Sequence, residues 1–244
     1  MLLKGNGLVK GVNFRNHTYI GDPINAVHIF NEKEVDELIF LDITATKENR
    51  CISLDTVQQI ADECYMPFGV GGGITSIDQI RTILFSGAEK VVINSAAYLN
   101  PELIEEASGI FGNQSIVISI DVRKNIFGKY EVYIRSGSKK TNLKLVDYLK
   151  KIEECGAGEL MITSINQEVT MSGYDVDLIK LVADRVNIPV IASGGAGNME
   201  HFQNAVKIGK ASAVAAGSFF VFYGKQKGVL INYPSKEEKE SIFR

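Results

Sequence analysis

The sequence is poor in the features that mark secreted, membrane-spanning or nucleic-acid-binding proteins. It has no tryptophan, five prolines and only three cysteines among 244 residues. The scattered Cys51, Cys64 and Cys155 exclude a disulfide framework or a zinc site. No apolar run approaches the roughly 20 residues that cross a bilayer, and residues 1–10 lack the build of a signal peptide. A net charge of −3 gives no support for nucleic-acid or membrane partners, so we expect a cytoplasmic protein.

What is present is an alternation of strand-length apolar runs and helix-length amphipathic segments. Seven runs rich in Val, Ile and Leu are apolar on both faces, which is typical of parallel strands buried on both sides. They are 37–43, 67–70, 90–94, 115–121, 159–165, 188–192 and 212–216. About eight helices are predicted between them, for example at 53–64 and 76–85. Residues 1–4 predict a stub of an eighth strand, and further ribbons are predicted at 8–14 and 130–135.

An internal repeat organises these elements. The segment PFGVGGG that begins at Pro67 matches PVIASGG, which begins at Pro189, 122 residues later. The same offset carries Glu37-Leu38 onto Glu159-Leu160. Two similar halves, about 1–120 and 121–244, favour an α/β fold with a single (β/α)8 (TIM) barrel domain over two separate domains. The first strand of this barrel is expected to be truncated.

Two glycine groups lie where a parallel barrel places its active site, at the carboxyl ends of the strands. Each group precedes a helix, and the next strand of each half ends in small residues. The candidate phosphate-binding residues are Gly72, Gly73, Asn94 and Ser95 in the first half and Gly194, Gly195, Ala216, Gly217 and Ser218 in the second. Glycine lets the backbone approach an anion closely, and a helix N-terminus attracts negative charge. A substrate with a phosphate at each end would explain both groups; the alternative is a pair of tight turns.

Asp121 is the candidate acid–base residue because it ends an apolar strand at the predicted mouth. A carboxylate there can have a raised pKa and exchange protons with a substrate. The alternative is a helix cap or an ion pair with Arg123 or Lys124. Asp42 resembles it, but nearby Arg50 favours a structural ion pair. The three histidines have no ligand spacing with one another, so we predict no metal site.

Several stretches resemble the cyclase subunit (HisF) of imidazole glycerol phosphate synthase, and together they extend over nearly the whole chain. They are Lys10-Gly-Val-Asn-Phe14, Gly21-Asp-Pro23, Asp36-Glu-Leu-Ile-Phe-Leu-Asp-Ile-Thr44, Gly71-Gly-Gly-Ile74, Ile93-Asn-Ser-Ala-Ala97, Gly156-Ala-Gly-Glu159, Ser172-Gly-Tyr-Asp175 and Ile191-Ala-Ser-Gly-Gly-Ala-Gly197. The resemblance implies a glutaminase (HisH-like) partner docked on the N-terminal face of the barrel. Ammonia would cross the barrel and react with a bis-phosphorylated aminoimidazole carboxamide ribonucleotide, without a cofactor. The implied products are imidazole glycerol phosphate and an aminoimidazole carboxamide ribonucleotide.

The resemblance also assigns roles to individual residues. Asp121 matches one of the family's two catalytic aspartates, and Lys10 matches the lysine of its mobile first loop. Gly73, Asn94 and Ser95 match one phosphate site, while Gly195, Ala216 and Gly217 match the other. A charged ring at the ammonia entrance is matched by Glu37, Lys90 and Glu159.

Three departures weaken the implied activity. Leu2 stands where the family has its other catalytic aspartate, and the family's gate arginine would precede Met1. The segment 166–170 lacks a glycine of the second phosphate site. Because cyclisation needs acid and base groups on opposite sides of the substrate, we expect it to be crippled or lost.

Two other interpretations stay open. HisF-like paralogues that serve a sugar amidotransferase in surface-polysaccharide (lipopolysaccharide) assembly share Leu2 and the segments 215–218 and 233–236. A phosphoribosyl isomerase is a weaker alternative. A longer natural N-terminus could add the arginine and complete the first strand, but it would not replace Leu2.

Overall fold

The computed structural model describes residues 1–12, 15–224 and 228–243. Its strands are β1 (Leu2–Lys4), β2 (Gly7–Val12), β3 (Arg15–Gly21), β4 (Leu38–Asp42), β5 (Phe68–Gly71), β6 (Lys90–Ile93), β7 (Ile116–Lys124), β8 (Tyr130–Ile134), β9 (Lys139–Lys140), β10 (Glu159–Ser164), β11 (Val190–Ser193), β12 (Ala213–Ala215), β13 (Phe222–Tyr223) and β14 (Gly228–Val229). Its helices are α1 (Pro23–Glu32), α2 (Leu54–Glu63), α3 (Ile77–Phe85), α4 (Ser95–Leu99), α5 (Glu102–Phe111), α6 (Leu145–Glu154), α7 (Val176–Ala183), α8 (Met199–Lys207), α9 (Ser218–Val221) and α10 (Lys236–Phe243), with a short 3-10 turn at Asn113–Ser115. Asn13 and Phe14, which belong to the ribbon predicted at 8–14, lie outside the described residues.

Eight strands form one continuous parallel sheet in the order β1, β4, β5, β6, β7, β10, β11, β12. Helices follow these strands along the chain, as parallel pairing requires. This is the (β/α)8 barrel fold that the alternation predicts, and each of the seven predicted strands overlaps an observed one. No helix in the described part of the chain is both long and apolar enough to cross a membrane.

The strands are apolar on both faces because each face packs against a different core. The larger core lies between the sheet and the helices and includes Phe40, Val70 and Leu160. A smaller cluster inside the barrel is formed by Val92, Val117, Met161 and Ile191. Alternate residues along one strand therefore point into one core or the other. These strands have no solvent-exposed face and so need no alternating polar residues.

Several helices start where the sequence places a capping side chain. Asp22, Ser53, Ser76 and Asp175 each accept hydrogen bonds from backbone N–H groups of the first turn that follows. These groups have no partner within the helix itself, so the caps fix where α1, α2, α3 and α7 begin.

The strand predicted at 115–121 continues beyond its expected end. β7 extends to Lys124 because β8 folds back antiparallel on it, with Asp121 opposite Tyr133 and Lys124 opposite Tyr130. The predicted ribbon at 130–135 is therefore β8. Since β8 pairs with the outer part of β7, it extends the barrel wall at the mouth next to Asp121.

One seam of the barrel differs from the other seven contacts. β1 has three residues, pairs in parallel with β4 and is joined antiparallel to β2. No backbone ladder joins β12 to β1 within the described ranges. The C-terminal segment is tied to the segment before β4, where Tyr233 and Lys239 both donate hydrogen bonds to Asp36, each at 2.7 Å.

Candidate active site

A cavity of about 1420 Å³ extends from the carboxyl-end mouth through the barrel interior to the amino end, where Glu37 and the C-terminal segment also line it. It is lined by Leu2 and Lys10 from the first β-ribbon, by Asp121 at the end of β7, and by both glycine groups. The parallel strands all end at this mouth, so residues separated by more than 100 positions converge on one space. Every residue predicted from the sequence to serve catalysis or phosphate binding lies at this mouth.

The glycines of the first group are required by the backbone. Gly73 has φ +63°, and a Cβ added there would lie 1.8 Å from the carbonyl oxygen of Arg50. Gly72 has φ +133° and would meet Asp42 in the same way. A side chain at either position is therefore excluded both by conformation and by space. We call Gly72, Gly73, Asn94 and Ser95 the first cradle.

Asp42 supports the first cradle from outside. Its Oδ2 lies 2.6 Å from Arg50 Nη1, and its Oδ1 accepts a hydrogen bond from the backbone N–H of Thr44 at 3.0 Å. The structural interpretation of Asp42 is therefore confirmed. Because the Arg50 carbonyl presses against Gly73, this ion pair also positions the glycine turn.

The second cradle, formed by Gly194, Gly195, Ala216, Gly217 and Ser218, repeats the backbone of the first. Gly194 and Gly195 have φ +87° and +111°, and a Cβ on Gly195 would lie 2.1 Å from the carbonyl oxygen of Gly173. Ser218 is buried at the start of α9. The second cradle differs from the first in its neighbouring side chain. Lys10 Nζ lies so close to Gly217 that a Cβ added there would be 1.7 Å from it.

Asp121 is held next to the first cradle by Asn94. Its side chain is 8% exposed, and Asn94 Nδ2 donates to Asp121 Oδ2 at 3.2 Å and to the Ser119 carbonyl at 3.0 Å. Burial and the nearby charge of Glu168 raise the pKa of Asp121 to about 7, although the Asn94 hydrogen bond opposes the rise. A carboxyl group with a pKa near neutrality can both give and take a proton at the working pH.

The alternative ion pairs of Asp121 do not form. Arg123 lies over the ring of Tyr133, 4.5 Å from its centroid, and Lys124 lies over Tyr130 at 5.2 Å. Both cations therefore stack on the β8 side of the hairpin and leave Asp121 to face the cavity.

Lys10 and Glu168 form a second charged group at the mouth. Lys10 is 5% exposed; burial lowers its pKa, and the charge of Glu168 opposes that effect. Burial also raises the pKa of Glu168, which Lys10 and the Met1 ammonium oppose. In the sequence, 166–170 stands out only as a segment that lacks a glycine, and Glu168 was not predicted. The signal that could have found it is its place in the loop after the sixth barrel strand.

Three charged residues cluster at the opposite end of the barrel. Lys90 Nζ lies 3.1 Å from Glu37 Oε2 and 3.0 Å from Glu159 Oε1. Burial lowers the pKa of Lys90, but the hydrogen bonds to both carboxylates more than offset this and leave it raised. Glu37 Oε1 is buried without a hydrogen-bond partner among the described residues. The trio lies at the amino ends of β4, β6 and β10, where the resemblance expects the ammonia entrance.

The geometry defines a twofold-repeated (β/α)8 barrel whose paired glycine turns share one mouth with Asp121 and Glu168. The chain matches the model of the family described as "Histidine biosynthesis protein" over residues 3–227. Among the described residues, no three His, Cys, Asp or Glu side chains are grouped closely enough to hold a metal ion.

Individual relatives identify the branch of the histidine biosynthesis family to which the chain belongs. The imidazole glycerol phosphate synthase subunit HisF of Thermococcus onnurineus (strain NA1) is 47% identical over 241 residues, which cover 98% of this chain and 91% of the relative. The subunit HisF of Streptococcus mutans serotype c is 44% identical over 223 residues, 91% of this chain and 88% of the relative. That of Hydrogenobaculum sp. is 46% identical over 220 residues, 90% and 87% respectively. The chain therefore belongs to the HisF family of imidazole glycerol phosphate synthase subunits, which are components of a lyase.

Proposed function

We propose that this chain takes up ammonia from a glutaminase partner for cyclase and lyase chemistry. Its substrate is a bis-phosphorylated aminoimidazole carboxamide ribonucleotide, and its turnover is weakened by Leu2. The observation that carries the proposal is the position of Asp121, whose pKa of about 7 suits proton transfer, in one cavity with both cradles. The names of the relatives support the reaction class.

The two cradles account for substrate orientation. Each presents glycine backbone next to the start of a short helix, an arrangement that suits a phosphate. With one phosphate held in each half, the reacting part of the substrate lies over the middle of the mouth, within reach of Asp121. Holding the reacting atoms in place supplies much of the rate gain in such a site.

The route of ammonia is supported by the apolar interior of the barrel. Val92, Val117, Met161 and Ile191 line the axis between the charged trio and the mouth. A neutral ammonia molecule passes such a lining more easily than ammonium or a hydrated ion. We assign the trio of Glu37, Lys90 and Glu159 to the ammonia gate on the face where a HisH-like glutaminase docks.

Leu2 is the reason to expect a weak cyclase. It lines the cavity from β1, the strand that lies four positions from β7 in the order of the barrel, on its opposite side. An apolar side chain there can neither donate nor accept a proton. The proposed turnover therefore lacks one of the two groups that flank the substrate in the family.

The test supplies ammonium chloride and the bis-phosphorylated ribonucleotide to the purified chain, without a glutaminase. We expect slow formation of both products, loss of turnover in Asp121→Asn by about 100-fold, and a gain in Leu2→Asp. Asp55→Asn, on the exposed side of α2, is the matched control and should leave the rate unchanged. Absence of turnover in both the natural chain and Leu2→Asp would contradict the proposal.

A second function is favoured by the altered second cradle. Lys10 Nζ fills the space at Gly217, and Val169, with φ +66°, stands in the segment where the family has a glycine. A barrel with these changes can activate a glutaminase and pass its ammonia to a sugar amidotransferase without cyclising anything. Glutamine hydrolysis by a candidate partner, measured with and without this chain, separates the two functions when product formation is followed in parallel. Stimulated hydrolysis without cyclase products would favour the second.

A further inference from the structure

Glu168 is an acidic group at the mouth that the proposed reaction leaves unused. It belongs to the loop that follows β10, and its backbone N–H donates to the Ser164 carbonyl at 3.1 Å. The side chain lines the same cavity as Asp121, Lys10 and Leu2. Its burial is costly for a carboxylate, and groups with such an environment in a cleft are frequent at functional sites.

The carboxylate of Glu168 reaches away from its own strand. Its Oε2 lies 3.0 Å from the place that a Cβ on Gly194 would take, at the end of β11. It also interacts electrostatically with Lys10, whose Nζ lies against Gly217 beyond β12. These contacts place the carboxylate on the side of the mouth formed by β11, β12 and the first ribbon. Asp121 occupies the side formed by β6 and β7, next to Asn94.

We infer that Glu168 is the second acid–base residue of the site and takes over the role for which Leu2 has no functional group. The inference rests on the proposed function and names the residue responsible for the cyclase turnover that remains. It explains how a barrel with leucine at position 2 still presents two carboxyl groups to a bound substrate, Asp121 at the end of β7 and Glu168 beside β11, two strand positions away.

The proton balance of the reaction assigns a task to each group. When ammonia adds to a carbonyl carbon and the oxygen leaves as water, two C–N bonds form and two C–O bonds break. Two protons must leave the nitrogen and two must reach the oxygen, one during the addition and one during the loss of water. In each step Glu168 accepts a proton from nitrogen while Asp121 donates one to oxygen, and before each new step the proton on Glu168 returns to Asp121 through solvent, so no oxidant, reductant or cofactor is needed.

Several charged and titratable groups act on the protonation of Glu168. Lys10 from β2 and the Met1 ammonium stabilise its ionised form, whereas burial opposes it. The Tyr174 hydroxyl, from the loop before α7, donates to the Ala215 carbonyl at 2.9 Å, and the charge of Glu168 adds to the burial that raises the pKa of this tyrosine. The charge of Glu168 also raises the pKa of Asp121 on β7. Because the repulsion between two carboxylates is mutual, Glu168 and Asp121 are expected to titrate as a coupled pair.

The test compares Glu168→Gln with Glu168→Asp, and it uses Glu106→Gln on the exposed side of α5 as the matched control. With ammonium chloride and the ribonucleotide, we expect Glu168→Gln to lower kcat by about 100-fold while the Kd of the ribonucleotide stays within about twofold. One limb of the pH–rate profile should disappear. Glu168→Asp should keep part of the activity, and Leu2→Asp should restore turnover in the Glu168→Gln background.

A readout that needs no turnover is the titration of Asp121 followed by carbon NMR. Removing the Glu168 charge should lower the pKa of Asp121, and Glu106→Gln should not change it. Wild-type turnover in Glu168→Gln, or an unmoved Asp121 titration, would overturn the inference and leave the proposed cyclase intact. A natural chain that binds the ribonucleotide without turning it over would also overturn it. Failure to bind the ribonucleotide at all would count against the proposed function itself.

Discussion

The two cradles share a backbone and differ in the side chains that surround it. Gly73 and Gly195 correspond at the repeat offset, and in both a Cβ would strike a carbonyl oxygen of a neighbouring loop. Asn94, however, corresponds to Ala216. The first cradle is bordered by the Asn94 amide and Asp121, which are hydrogen-bonded to each other, the second by the buried Lys10 and the half-buried Glu168.

This comparison shows which part of a duplicated unit is free to change. The glycine turns are fixed by backbone packing, which tolerates no side chain, so both halves keep them. The residues that border the turns come from other parts of the chain and can diverge without disturbing the turns. We therefore expect the two cradles to respond alike to changes in the glycines and differently to changes in charge.

The largest effect on the free energy of unfolding is expected from substitutions in the glycine turns, which both cradles have. Gly73→Ala and Gly195→Ala should each destabilise the fold by about 4 kcal/mol or more, because the new methyl group meets backbone that cannot retreat. Urea unfolding monitored by circular dichroism measures this. Gly128→Ala is the matched control: its φ is +77° but nothing lies within 4 Å of the added Cβ, so it isolates the conformational cost of about 1 kcal/mol. Equal losses at all three positions would show that packing does not fix the turns.

The second effect is a dependence of stability on pH, which we expect from Asp121 beside the first cradle and not from the second cradle. The pKa of Asp121 is about 7 in the folded state, against an ordinary value of 3.8, so between these values the folded state holds the additional proton. The associated stability is present below about pH 4 and is lost as the pH rises through 7. Asp121→Asn should therefore be more stable than the natural chain above pH 7, on the order of 4 kcal/mol, with the difference vanishing near pH 4.

Urea unfolding at pH 5 and pH 8.5 measures this difference. Asp55→Asn, an exposed substitution on α2, is again the matched control. An Asp121→Asn advantage that is the same at both pH values would mean that the carboxyl group of Asp121 titrates normally in the folded protein.

The smallest effect is expected when the corresponding residues Asn94 and Ala216, which border the glycine turns, are exchanged between the two halves. Asn94→Ala gives the first cradle the residue of the second and removes the hydrogen bonds to Asp121 and Ser119. We expect a loss of about 1 kcal/mol and a further rise in the pKa of Asp121, because the amide favours the ionised carboxylate. NMR titration of Asp121 measures the rise. The reciprocal Ala216→Asn should leave this titration unchanged; a shift in both variants would refute a local role for Asn94.

Much of the fold follows from local patterns. Parallel strands buried on both faces are continuous apolar runs, so the seven runs predict the barrel strands to within a few residues. The exception is β7, where antiparallel pairing with β8 carries the strand three residues past Asp121. Pairing of that kind depends on a partner that the run itself does not contain.

The candidate site was predictable to the extent that strand ends determine it. The carboxyl ends of parallel strands meet at one mouth, so the strand pattern alone brings Asp121 and both glycine groups together. Glu168 was missed because a loop residue carries no periodic signal. Its carboxylate lies beside Gly194 and within electrostatic reach of Lys10, and sequence spacing encodes neither neighbour. The pairing of Asp42 with Arg50 was predictable because the two residues are close in sequence.

The seam between β12 and β1 has a consequence for how the molecule assembles. Among the described residues, seven of the eight strand contacts around the barrel are backbone ladders, and no ladder joins β12 to β1. The C-terminal segment is tied to the segment before β4, where Asp36 accepts hydrogen bonds from Tyr233 and Lys239. During synthesis the sheet can therefore pair strand by strand, from β1 and β4 to β12, long before the chain ends. The two hydrogen bonds to Asp36 can form only after residue 239 has left the ribosome, so the segment before β4 gains its last partners when helix α10 folds.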